Sequence, residues 1–151
     1  MSHVNIGKVH PEAFQAMSQL NERASEAAAS AGLEPKLVEL VRMRVSQING
    51  CAFCLRMHAA DAERLGETSE RIAILAAWWE SQYFTGPERA ALQLAEQVTL
   101  MSDASRIPER GVDVSAELDD AQIAAVTWNV VVINAWNRIA VSSHYPVAPK
   151  E

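Results

Sequence analysis

Cys51 and Cys54 are the only cysteines in the chain, three residues apart, with His58 one helical turn beyond the second. A pair closing so small a loop adds little stability, because the entropic benefit of a cross-link grows with loop length. Close pairs more often hold a metal or exchange electrons. On an α-helix at about 100° per residue, Cys51, Cys54 and His58 fall within an arc of roughly 60° on one face. The Asn49-Gly50 break puts both sulfurs in a first turn, where unpaired N–H groups and the helix dipole favour negative charge. Thiolate is the attacking species, and a helix start lowers the pKa of a thiol. His58, in register with Cys54, can take its proton. That points to Cys54 as first nucleophile and to Cys51 as the thiol that closes a disulfide on it. Thioredoxin-like sites argue for the other order, with the N-terminal cysteine attacking.

Those groups need helices to carry them, and the apolar spacing predicts six. Pro11 opens a helix with Phe14, Met17, Leu20, Ala24, Ala27 and Ala28 at helical intervals, ended by Gly32. Pro35 opens a second, with Leu37, Leu40, Val41 and Val45 on one face and Asn49-Gly50 as its stop. A third runs from Cys51 to Leu65, closed by Gly66. Thr68 and Ser69 cap a fourth carrying Ile72, Leu75, Ala76 and Trp79. Thr85-Gly86-Pro87-Glu88 restarts the chain into a fifth with Ala91, Leu94, Ala95, Val98 and Met101. Ser102 to Glu117 reads as a connection with at most a helical turn. Asp119 or Asp120 starts a long last helix through Ile123, Val126, Val130, Ile133, Ala140 and Val141. Val4 to Gly7 reads as an extended or irregular lead-in, and no stretch alternates like a strand.

The 151 residues suit one domain, spanning 1–151. Of these, 49% are apolar but only 6% aromatic, so small aliphatic side chains must pack closely spaced helices. A single all-α domain is expected. Nineteen acidic and thirteen basic residues leave a charge of -6, with no basic stripe. Nucleic acid and an anionic membrane surface are therefore poor partners. Met1 to Phe14 has no charged segment followed by an apolar one. The apolar stretch from Ala121 to Ala140 is interrupted by Asn129, Asn134, Asn137 and Arg138. Neither a signal peptide nor a spanning helix is predicted, and a cytoplasmic protein is expected.

Glu39, Cys51, Cys54 and His58 together make the pattern E-x11-C-x2-C-x3-H. It resembles the alkylhydroperoxidase D-like branch of the carboxymuconolactone decarboxylase family. The likeness covers most of residues 35–145. It includes Leu37 to Ile48 leading into Asn49-Gly50-Cys51, the stretch His58-Ala59-Ala60-Asp61-Ala62, and Asn134-Ala135-Trp136-Asn137-Arg138-Ile139-Ala140. The resemblance implies a peroxide-reducing Cys54, a resolving Cys51, a His58 that accepts the Cys54 proton, and a Glu39 that joins the relay near Cys51 through water. It also implies a compact helical subunit that forms dimers, trimers or hexamers. Members of the family carry a second histidine just before the second cysteine, and Phe53 stands there instead, removing one proton carrier. The decarboxylases proper lack the paired cysteines, so the dithiol argues against lactone decarboxylation.

The expected activity is dithiol peroxidase chemistry on a hydroperoxide substrate, with an external dithiol or protein reductant and neither a cofactor nor a metal. Two other readings stay open. One is a thiol-disulfide adaptor that passes electrons without touching peroxide. The other is a helical binding module, inactive or holding zinc on Cys51, Cys54 and His58 with Glu39 or water. Ligands from one helix make a crowded, one-sided set, and there is no second C-x-x-C. Taken alone, Glu39 is a solvated helix residue spaced to pair with Arg42 or Arg44. Trp78, Trp79, Trp128 and Trp136 are spaced for packing rather than for a pocket rim. Asn134, Asn137 and Arg138 need hydrogen-bond partners on neighbouring helices or subunits, with Arg138 a candidate to anchor a carboxylate. Phe53 and Leu55 suit an apolar wall, His144 a surface tail, and His3 and His10 have no evident partners.

Overall fold

A proline at the first helical position opens each of the two long helices that precede the cysteine pair. The computed structural model describes residues 3–108 and 110–149, and every regular element among them is a helix. In chain order these are α1 (Ile6–Val9), α2 (Pro11–Ser30), α3 (Pro35–Asn49), α4 (Ala52–Arg64), α5 (Ser69–Ile74), α6 (Gly86–Thr99), α7 (Val114–Glu117) and α8 (Asp120–Ser142). Short 3-10 helices follow α5 at Leu75–Glu80 and lie at Ala104–Arg106. The six helices predicted from apolar spacing are all present. No helix among the described residues is long and apolar enough to cross a membrane.

Two local expectations are corrected. Val4 to Gly7 is not an extended lead-in: Asn5 accepts a hydrogen bond from the Lys8 N–H and caps the single turn of α1. The asparagine cap, together with Ser143 Oγ accepting the Ile6 N–H at 3.3 Å, holds a helix that apolar spacing could not reveal. The fourth helix does not continue to Trp79 as an α-helix. It tightens into the 3-10 segment, kinked at Ala77, and 3-10 geometry stacks residues three apart. Leu75 and Trp78 are both fully buried there, and Trp78 Nε1 donates to Glu96 Oε1 at 3.0 Å.

The central helix is α3. It buries Leu37, Val38, Glu39, Leu40, Val41, Met43, Val45 and Ser46, and it packs against α4, α6 and α8. One apolar cluster lies on its α2, α6 and α8 side and includes Ala28, Val41, Val45, Ala91, Val130, Ile133 and both cysteines. A second lies against the 3-10 segment and includes Leu40, Met43, Ala62, Trp78 and Leu92. A helix buried nearly all round must find partners for its polar groups. Arg44 therefore pairs with the fully buried Glu96 of α6, Nη2 to Oε1 at 2.8 Å.

The asparagines of α8 perform the same service at the far end of α3. Asn49 Nδ2 donates to Asn134 Oδ1 and Asn137 Oδ1, both at 2.9 Å, and Asn137 Nδ2 donates to Ser46 Oγ at 3.0 Å. They bolt α8 to the last turn of α3, just before the cysteines. Among the described residues Arg138 pairs with no carboxylate. Its guanidinium folds back onto Asn134 of its own helix. Trp78 and Trp136 pack as expected, whereas Trp128 is 51% exposed on α8.

Candidate functional site

Gly50 takes a left-handed conformation (φ 67°) that ends α3, and the Cys51 N–H then bonds back to Ser46 O at 3.0 Å. This pattern of a left-handed residue followed by a long backward hydrogen bond is a Schellman stop. It fixes Cys51 in space. The same residue is the N-cap of α4, with extended backbone, and its Sγ accepts the Cys54 N–H at 3.2 Å. Cys51 thus closes one helix and opens the next, so it lies just outside the helical turn that sequence spacing assigned to it.

The two sulfurs are bonded to each other as a disulfide, with their Cα atoms 5.4 Å apart. Cys51 is 1% and Cys54 2% exposed, within the apolar cluster shared by α2, α3, α6 and α8. On reduction, Cys51 Sγ would keep the Cys54 N–H and the positive end of α4, both of which favour its thiolate. Cys54 sits one turn before His58 on the same helix.

His58 and Glu39 come together across the α3–α4 hairpin. His58 Nδ1 and Glu39 Oε2 are 2.7 Å apart, and both residues are buried. Sequence reasoning expected Glu39 to act near Cys51 through water; the hydrogen bond found joins it directly to His58. The other carboxylate oxygen, Oε1, accepts from Arg42 Nη1 at 2.7 Å. Burial works against ionisation of Glu39, but the His58 hydrogen bond and the Arg42 charge outweigh it and hold its pKa below the ordinary 4.5. An ionised Glu39 selects the tautomer with the proton on His58 Nδ1 and leaves Nε2 free to accept another.

Arg42 was legible only as a helical-spacing partner of Glu39. The fold gives it more: its Nη2 also donates to Ser25 Oγ of α2 at 2.9 Å and to Asn129 Oδ1 of α8 at 3.0 Å. Asp61, one turn beyond His58, was missed as a site residue. Its only signal was i+3 spacing from the histidine. One ligand atom from each of Glu39, His58 and Asp61 lies within 4.8 Å of the others. Among the described residues that set could take a metal ion, although Arg42 and Arg64 already engage the two carboxylates. The zinc set of Cys51, Cys54 and His58 offers no thiolate while the sulfurs are bonded together.

Phe53, at the position of the family's second histidine, meets Tyr145 edge-on with ring centres 5.1 Å apart. Arg56 Nη1 donates to Ala148 O at 2.7 Å, so the segment after α8 crosses the first turns of α4. Phe53, Met57 and Ala60 then line a surface hollow with Arg56, Asp61 and Arg64. At the edge of the fold His3 gains a partner that the sequence did not suggest, stacking on His144.

Comparison with known proteins agrees with this architecture. The model of the carboxymuconolactone decarboxylase family matches residues 11–97, which contain Glu39, both cysteines and His58. The uncharacterized protein YdfG of Bacillus subtilis (strain 168) is 34% identical over 148 residues, 97% of each chain. A crystal structure of ATU0492 from Agrobacterium tumefaciens superposes with a TM-score of 0.86 at 32% identity, covering 99% of this chain and all of that one. ATU0492 is described as a protein of unknown function with a suggested role as the antioxidant defence protein AhpD.

Proposed function

The chain belongs to the carboxymuconolactone decarboxylase family, and we propose that within it the protein is an alkylhydroperoxidase-like dithiol peroxidase acting through Cys54 and Cys51. The observation that carries this reading is the Cys51–Cys54 disulfide at the start of α4 with the buried His58–Glu39 pair on the same hairpin. The suggested antioxidant role of ATU0492 supports the same chemistry.

In the reduced protein His58 Nε2 takes the Cys54 proton, and Glu39 stabilises the imidazolium that results. The Cys54 thiolate attacks the O–O bond of a hydroperoxide. The leaving alkoxide takes a proton from His58 and departs as the alcohol, or as water from hydrogen peroxide, and Cys54 becomes a sulfenic acid. Cys51, held at the N-cap by the Cys54 N–H, displaces water from that sulfenic acid and closes the disulfide seen here. An external dithiol then reduces the pair, becoming a disulfide itself. Phe53, packed against the apolar cluster that holds both cysteines, favours an organic hydroperoxide over a charged substrate. Association into a homo-oligomer is part of the same proposal.

Peroxide consumption with a dithiol donor tests it. Turnover should require both cysteines and vanish in Cys54→Ser. Disulfide exchange with the donor but no peroxide consumption would replace the peroxidase by an electron-transfer adaptor.

A further inference from the structure

Between α2 and α3 lies a cavity of about 220 Å³, lined by Ser25, Ala28, Leu33, Val38, Glu39 and Arg42. Its walls are aliphatic and its polar end is the Glu39–Arg42 pair, so the carboxylate that holds His58 on one side meets this cavity on the other. Arg42 is anchored from three helices: to Glu39 Oε1 on its own helix, to Ser25 of α2 and to Asn129 of α8. Asn129 is itself fixed, donating to Ala24 O and Ala125 O. A guanidinium held this firmly is a pre-set charge and not a wandering surface group.

We propose that Arg42 is a positioning residue of the dithiol site: its fork clamps Glu39 in register with His58, and its charge holds that carboxylate ready for the imidazolium that forms when Cys54 passes its proton to His58. The charged and titratable groups gathered here are Glu39 and Arg42 of α3 with His58 and Asp61 of α4, and Arg64 sits on Asp61. From α2 and α8 the partners are the neutral Ser25 and Asn129. With the largely buried Arg42 charge in contact, the Glu39 carboxylate stays ionised and faces His58 as an anion. Without it, burial would protonate Glu39 more readily, the imidazolium on His58 would lose its counter-charge, and the Cys54 thiolate would form only at a higher pH.

The inference rests on the peroxidase reading for what the thiolate does, but it is read on the sulfur itself. Thiolate absorbance of the reduced full-length protein carrying Cys51→Ser, which leaves Cys54 as its one thiol, is titrated with Arg42 unchanged and with Arg42→Gln and Arg42→Lys, with thermal melts to confirm folding. Glutamine keeps a donor for Glu39 and drops the charge; lysine keeps the charge and loses the fork. The thiolate midpoint should rise by about one pH unit in Arg42→Gln and stay near that of the Arg42 parent in Arg42→Lys, although both variants melt earlier. Should the glutamine variant fail to fold, Arg42→Met provides the same charge loss with the stem packing retained. An unmoved midpoint in the neutral variant, or an equal rise in both, would reduce Arg42 to a structural tie. Peroxide turnover absent from the wild type would sink the peroxidase reading and leave this comparison standing.

Discussion

His58 Nδ1 and Glu39 Oε2 face each other at 2.7 Å across the α3–α4 hairpin, with both residues buried. Neither residue signals this from its own position, since they are 19 positions apart along the chain. The contact follows from a two-residue turn, Gly50 and Cys51, that folds α4 back along α3. It gives an ordinary helix histidine a fixed tautomer.

Replacing Glu39 by Gln keeps the shape and removes the charge that stabilises an imidazolium on His58. Peroxide turnover should fall by about 10²-fold or more, measured as kcat at saturating donor. A loss smaller than threefold would remove Glu39 from the proposed relay.

The same carboxylate makes a pH-dependent contribution to stability. Burial pushes its pKa up, but the His58 hydrogen bond and the Arg42 charge pull it below 4.5 in the folded chain. A depressed carboxylate stabilises fully above its unfolded value, and that stability is lost as pH falls through the lower folded value. On acidification below about pH 4.5, wild type should lose stability more steeply than Glu39→Gln in urea unfolding. Parallel slopes would contradict this.

Glu96 is fully buried and compensates Arg44, with Trp78 Nε1 also donating to it. Glu96→Ala strands a largely buried guanidinium and should cost about 3–5 kcal/mol in equilibrium unfolding. A cost below about 1 kcal/mol would mean that the pair behaves as an exposed one.

Gly50 has φ 67° with open space where a Cβ would lie, so Gly50→Ala meets backbone strain and no clash. It should lose about 1–2 kcal/mol. It should also slow re-formation of the Cys51–Cys54 disulfide after reduction, because the turn that places Cys51 is displaced. Unchanged stability and re-oxidation together would show that the turn does not need glycine.

Both sulfurs are buried, so a reductant must displace something, and Phe53 against Tyr145 with Arg56 on Ala148 is the cover nearest the start of α4. Tyr145→Ala and Arg56→Ala should each speed disulfide reduction by dithiothreitol several-fold. Equal rates in all three proteins would place the access route elsewhere.

Much of this was legible in the residues. Proline starts, glycine stops and apolar spacing marked the six principal helices, and the cysteine spacing with His58 marked the site. What stayed hidden depended on tertiary contact. The one-turn α1 is tied to the end of α8 by Ser143 Oγ, which accepts the Ile6 N–H, and the change to 3-10 geometry after α5 followed the burial of Leu75 and Trp78. The shift of Cys51 from first helical residue to N-cap turned on a single left-handed glycine. Glu39 was marked through family likeness, but its hydrogen bond to His58 and the three-helix anchorage of Arg42 exist only once α2, α3, α4 and α8 are assembled. Spacing along one helix cannot reveal what a neighbouring helix contributes.

The central claim is that Cys54 is the sulfur that peroxide oxidises. Reduced Cys51→Ser protein, exposed to one equivalent of an organic hydroperoxide and a sulfenic-acid trap, isolates that step for peptide mass spectrometry. The account predicts a trapped sulfenic acid on the peptide containing Cys54, formed together with one equivalent of the alcohol. Peroxide left unconsumed, with Cys54 still a free thiol, would contradict it.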